Sequence, residues 1–339
     1  MKYQPSAWAI LIASAALTAC GGSSSSDNGS PTPSSHPEVP AIGPASLTTH
    51  EEAARYVAVT SGLLAGGNYE PVEEDRDFSG QDVTLDCSES GTMERSHGNK
   101  QVDTPFGTGD FEYQEIINDN CHNSFAGESV ESNGKTEAGY SSDVGAQNDA
   151  VVYSIQGDLD TGAPIFGETS SGGASSKSEA LGQLFECLEC GGANTYKVEQ
   201  YSETFISDGQ YAYRFQLGES LEKPLEYTET VVEYRVQDDD DYLFDLDITG
   251  AIGLNSSVCE LGYATWKSTE TLRIKESESV DGDGEGFVEN TIISGKATIN
   301  DTIEVAFSNG EATITIGGVP QTYDADELWQ AGIPCYENG

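Results

Sequence analysis

Basic residues are scarce in this chain: 15 Lys plus Arg stand against 58 Asp plus Glu among 339 residues, a formal charge of -43. Unaided binding to nucleic acid or to an anionic membrane face is excluded, because either polyanion would repel the chain. Histidine is equally sparse. His36, His50, His97 and His122 are the whole supply, and none stands in a motif that would make it a general base or a zinc ligand. The Gly-x-Ser-x-Gly elbow, His-Glu-x-x-His and a phosphate-binding glycine loop are all absent. Paired carboxylates abound in so acidic a chain and carry no information about glycoside hydrolysis. The chain is therefore read as a non-enzyme without a cofactor. Long apolar runs are missing too, apart from Ala7 to Leu17, which is too short for a permanent bilayer span but suits a signal-peptide core.

What is present begins with that run. It follows Lys2 and ends at Leu17-Thr18-Ala19-Cys20, which resembles the lipobox of bacterial lipoproteins. The resemblance implies cleavage before Cys20 and acylation of its thiol by diacylglycerol, the amine taking a further fatty acid such as palmitate. Several acyl chains on one residue make a stable anchor. Gly21, where the sorting rule of this class would want Asp for inner-membrane retention, favours the outer membrane of a bacterial envelope. Residues 1-19 are then the signal peptide. Residues 20-45, rich in Ser, Pro and Gly, are expected to be a flexible tether spanning roughly 25 to 30 Å on average, with the folded body starting near Ser46.

The chain has 36% hydrophobic residues with 16 Tyr and 11 Phe, enough for a packed core in the body. Thr49 and Glu52 form a capping box, and Ala53, Tyr56, Val57, Leu63 and Leu64 follow at helical spacing until Gly66-Gly67. Beyond it the apolar residues recur at every second position, the mark of antiparallel strands. Tyr196 to Ile206, a turn at Asp208-Gly209, and Tyr211, Tyr213, Phe215 and Leu217 read as one hairpin. Ile303 to Phe307, Asn309-Gly310, and Ala312 to Ile316 read as another. Tyr242, Phe244, Leu246 and Ile248 alternate after an acidic turn at Gln237 to Asp241, and a short helix is expected over Asp324 to Gln330. Stretches 127-142 and 167-178 read as long Gly/Ser-rich loops. The fold expected is mainly β, an antiparallel curled sheet or sandwich-like modules with one N-terminal helix: 46-180 as helix plus first β module and 181-339 as second.

Setting Cys20 aside, six cysteines remain, an even number that in an exported chain reads as disulfides. Sequential pairing gives each region its own staple: Cys87 with Cys121, Cys187 with Cys190, Cys259 with Cys335. Cys187-Leu188-Glu189-Cys190 lacks the following His of a haem site, a second pair for zinc, and the βαβ context of a redox dithiol. Asp281, Asp283 and Glu285 resemble the first half of an EF-hand loop, but Ile292 stands where the bidentate Glu belongs. They are weak cation candidates at best, and no metal is assigned.

Val83 to Thr92 around Cys87, and Phe111-Glu112-Tyr113 through Asn118-Asp119-Asn120-Cys121, resemble a pattern in uncharacterised Gly/Ser-rich envelope lipoproteins of marine gammaproteobacteria. Ser294 to Ile299 and Thr302 to Phe307 are similar to their closing β module. The resemblance implies a β-rich, lipid-anchored envelope protein without catalytic residues, some members of the class working beside outer-membrane transporters. The function expected is a non-enzymatic accessory that docks on another envelope component. The alternatives are a carrier whose aromatics (Tyr211, Tyr213, Phe215, Tyr242, Phe244) line a curled sheet around a hydrophobic small molecule, and an envelope hydrolase.

Overall fold

A computed structural model of the protein describes residues 36–65, 78, 80–125, 128–147, 149–171, 174–188, 190–233, 242–280 and 286–336. Helix α1 (His50–Ala65) starts at the expected box. Glu52 N–H donates to Thr49 Oγ1 at 3.2 Å, and Thr49 N–H donates back to Glu52 Oε2 at 3.0 Å. Hydrogen bonds from Thr48 and Thr49 hold the Glu52 carboxyl below the usual range. Ala53, Tyr56, Val57, Thr60 and Leu64 recur at helical spacing and are buried, which gives the helix one face to dock.

The strands follow as β1 (Val83–Asp86), β2 (Ser90–Thr104), β3 (Gly107–Phe125), β4 (Glu128–Val144), β5 (Asp149–Gln156), β6 (Ile165–Ser171), β7 (Ala174–Leu188) and β8 (Thr195–Ser207). Then come β9 (Ala212–Leu217), β10 (Leu225–Glu233), β11 (Tyr242–Ser256), β12 (Glu260–Val280), β13 (Gly286–Ile299), β14 (Ile303–Ser308), β15 (Glu311–Ile316) and β16 (Val319–Tyr323), before a closing helix α2 (Ala325–Tyr336). All join one 16-stranded antiparallel sheet with a meander order.

Two departures from the plain meander match one another. β5 and β6 lie end to end between β4 and β7, and β9 and β10 lie end to end between β8 and β11. Each pair is interrupted by an excursion that opens on a glycine and closes on a proline: Gly157 to Pro164, and Gly218 to Pro224. Both glycines are left-handed, at φ 76° and 77°. A Cβ would sit 2.6 Å from the Ala163 carbonyl at the first and 3.0 Å from the Leu225 nitrogen at the second. Only glycine fits where the chain leaves the sheet.

The main core lies between one sheet face, mostly β10 to β15, and α1. Trp266, Ile252, Leu254, Leu272, Ile274, Ile299 and Ile314 are fully buried there, each worth about 1.5–3 kcal/mol of transfer free energy. A smaller cluster of Phe111, Val144, Val151, Tyr153, Phe185, Cys187 and Cys190 sits on the opposite face. Period-two alternation separates the two: Tyr153 pairs with Phe185 on one face, while Val152 pairs with Glu186 on the other.

Several expectations need correction. Residue 180 lies inside β7, which pairs with β5, β6 and β8, so no boundary divides 46-180 from 181-339 and the β body is one sheet. The stretches 127-142 and 167-178 are largely β4, β6 and β7; Gly and Ser are tolerated there because the partner strands on both sides supply the pairing. Residues 36-45 are docked rather than tethering. His36 Nδ1 and Nε2 meet Ser207 Oγ at 3.0 Å and Ser175 Oγ at 3.2 Å, Arg214 Nε donates to the Val39 carbonyl at 3.0 Å, and Pro44 bridges to Tyr263. Backbone polar groups bind this segment, and backbone groups leave no trace in composition. Both hairpins stand: Asp208 N–H donates to the Tyr211 carbonyl at 3.1 Å between β8 and β9. Asn309 and Gly310, at φ 52° and 83°, turn β14 into β15.

Candidate functional site

The face away from α1 carries the polar chemistry. Lys100 on β2 places its ammonium 4.9 Å from the Tyr113 ring centre and 5.4 Å from that of Tyr153, while ion-pairing with Glu137 of β4. Glu137 is only 5% exposed, so its charge needs this partner. Lys135 is 3.8 Å from the other oxygen of Glu137 and pairs with Glu115 of β3. Burial pulls the Lys135 ammonium down, but the bond to Glu115 and the nearby carboxylates outweigh it and hold its pKa above the usual value. Burial, and then the Glu137 charge, push the Tyr153 phenol well up. Gly139 makes this packing feasible, since a Cβ there would fall 2.4 Å from the Tyr153 ring. The cluster is a closed structural network.

Beside it, on the same face, a cleft of about 400 Å³ lies between Phe106 at the β2–β3 turn and a floor made by β8, β10 and β11. Register sets the floor in two rows, Lys197–Thr228–Asp247 and Glu199–Glu226–Thr249. Burial and the charge of Glu226 directly opposite raise the Glu199 carboxyl. The lining is polar and suits hydroxyl or ammonium groups better than hydrocarbon.

The α1 side of the sheet holds two carboxylates at 1% exposure, Glu186 on β7 and Glu229 on β10. Glu229 Oε2 has no hydrogen-bond partner among the described residues. Burial first, then Glu186 and Glu276, push the Glu229 carboxyl well above its usual range. The acidity of the whole chain hid that two buried positions on this face carry carboxylates.

The structure bonds Cys87 to Cys121, Cys187 to Cys190, and Cys259 to Cys335. The first ties the β1–β2 turn to β3, and the last fastens α2 to the β11–β12 turn. The Asp149 carboxylate lies within 4.8 Å of both sulfurs of the Cys187–Cys190 pair; bonded to one another, those sulfurs offer no thiolate to a metal.

Of the five aromatics expected to line a ligand space, Tyr213 and Phe215 sit on β9 with rings 6.1 Å apart. Phe244 is 3% exposed within the core under α1. Tyr211 precedes β9, and the side chain of Tyr242 lies outside the described residues, as do Cys20, the acidic turn at Gln237 to Asp241, and Asp281, Asp283 and Glu285. The shared face of Phe215 and Phe244 is packed against α1-side core residues, so these two serve as core. No helix among the described residues is long and apolar enough to cross a membrane. No protein-family description, curated protein or solved structure matches the chain.

Proposed function

We propose that the protein is a non-enzymatic accessory of the bacterial envelope, anchored by acylated Cys20 to the outer membrane, whose β body docks on another envelope component such as an outer-membrane transporter. The observation that carries this reading is the single-layered first part of the sheet. Neither described helix packs extensively on β1 to β4, and β2 has no fully buried residue along its length. Val83, Leu85, Ile117 and Val130 are 36 to 46% exposed on these strands. A strand layer so exposed at its outer end normally gains a second layer from elsewhere, and on the face away from the Phe111 cluster the described residues supply only Phe78, packed against Ala138 and Tyr140 of β4.

Charge selects the kind of partner. Exposed carboxylates at Asp82, Glu94, Asp103, Asp110 and Glu112 crowd the region. Its lysines are engaged: Lys100 with Glu137, and Lys135 with Glu115. A basic protein surface is complementary. Anchoring raises the effective concentration of such a partner in the same membrane, so weak docking suffices.

In-cell crosslinking of wild type and Cys20→Ser tests the reading. Wild type should be processed, lipid-bearing by mass spectrometry, and crosslinked reproducibly to one envelope protein, whereas Cys20→Ser should stay unprocessed and lose the crosslink. A lipid-free mature N-terminus on the wild type, or no reproducible crosslink together with turnover in a hydrolase screen, overturns it.

A further inference from the structure

The sheet has an unfinished margin. β1 pairs with β2 only from Thr92 to Arg95, yet β2 runs on to Thr104. Residues 96–104 therefore form the outermost strand, paired on one side by β3 and on the other by no described strand.

The direction of their backbone groups can be fixed from one contact. His97 N–H donates outward to Asp82 Oδ1 at 2.9 Å, so the groups of His97 face away from β3. Ladder groups alternate with period two. The N–H and C=O of Asn99, Gln101 and Asp103 therefore face outward as well. The hairpin agrees, since Thr104 pairs with Gly107 across a two-residue turn, and such a closing pair bonds inward. Asp82 does for His97 what an added strand would do for the three residues beyond it.

Edges of this length are normally guarded by proline, by outward lysine or by a bulge. Segment 96–104 has no proline, and its register with β3 is unbroken there. Its single lysine, Lys100, is turned onto the opposite face between two tyrosine rings and bonded to Glu137. Asn99, Gln101 and Asp103 are exposed. Next to them on the same face stand Glu112 and Asp110, the register partners of Asn99 and Gln101 on β3.

We infer that the margin of β2 from Ser96 to Thr104 is a strand-addition site for an extended basic segment of a partner protein, with Lys or Arg at alternate positions. Backbone bonds to Asn99, Gln101 and Asp103 supply affinity, and the Asp103, Asp110 and Glu112 carboxylates select the cations. A second copy of this chain is a poor occupant, because each carries a formal charge of -43. The inference rests on the docking reading above and names its site.

The test uses the mature, disulfide-bonded protein and a synthetic peptide alternating Lys and Val. Gln101→Pro removes one outward donor without touching the β3 ladder, and Gln101→Ala keeps it. The peptide should bind saturably at physiological salt. Affinity should fall at least about tenfold in Gln101→Pro, stay within about twofold in Gln101→Ala, and vanish when the peptide amides that face β2 are N-methylated or Glu replaces Lys. Equal binding by Gln101→Pro, with its thermal stability unchanged, would mean charge attraction alone and overturns the site. So would an absence of saturable binding, or self-association of wild type that Gln101→Pro abolishes. A partner crosslinked in cells while the peptide fails to bind would reject this margin and leave docking elsewhere on the body intact.

Discussion

Tyr56→Phe is the sharpest probe of how α1 is held to the sheet. Tyr56 is fully buried, and its hydroxyl reaches between β11 and β12 at their paired residues Ile252 and Ala264. It donates to the Ile252 carbonyl at 2.6 Å and accepts from Ala264 N–H at 3.1 Å. Burial pushes the phenol far above its ordinary value, so it keeps its proton and remains a donor throughout the usable pH range. Phenylalanine fills almost the same volume, which makes the packing loss small. What is lost is satisfaction of two buried backbone groups, each costing about 1–3 kcal/mol when orphaned. The expected destabilisation is about 2–4 kcal/mol, or about 3–7 °C in Tm for a domain of this size. Urea unfolding followed by far-UV circular dichroism should show the midpoint falling with an unchanged slope. A change below about 0.5 kcal/mol would falsify the claim that this hydroxyl completes the ladder.

Three further outcomes follow from the same geometry. Cys335→Ala frees α2 from a 76-residue closed loop and should cost about 4.5 kcal/mol on the chain-entropy model, while free-thiol titration of the unfolded, unreduced wild type should find essentially none in the body. Glu229→Gln addresses pH. The native carboxyl is raised, so the folded state holds a proton that the unfolded chain releases near 4.5, and wild-type stability must fall as pH rises from there toward the native value. The variant should therefore gain on wild type between pH 4 and pH 8, read by urea midpoints at each pH, and a difference that stays flat refutes the burial argument. Gly218→Ala, at φ 77° with backbone atoms 3.0 Å from the new methyl, should destabilise by at least about 1–2 kcal/mol, and a neutral result would show that the excursion can relax.

Local physics settled much of this protein from its sequence. Thr49 and Glu52 specify a helix start because the bonds they make are three residues apart. Asn309-Gly310 specifies a turn because those residues alone accept positive φ cheaply. The alternation of Tyr213, Phe215 and Leu217 specifies a strand with one inward face, and the acidic balance opposes unaided binding to nucleic acid or an anionic membrane face. Tertiary structure decided what depends on neighbours far along the chain. Stretches 127–142 and 167–178, largely β4, β6 and β7, looked like loops because Gly and Ser have poor intrinsic strand preference, and pairing on both sides overrode it. The strap from His36 to Ala45 was illegible because its anchors are mostly carbonyls and amides, which every residue has. Lys100 meeting Glu137, two carboxylates buried at Glu186 and Glu229, and the bare margin beyond Arg95 all depend on register, since a shift of one residue would exchange the faces.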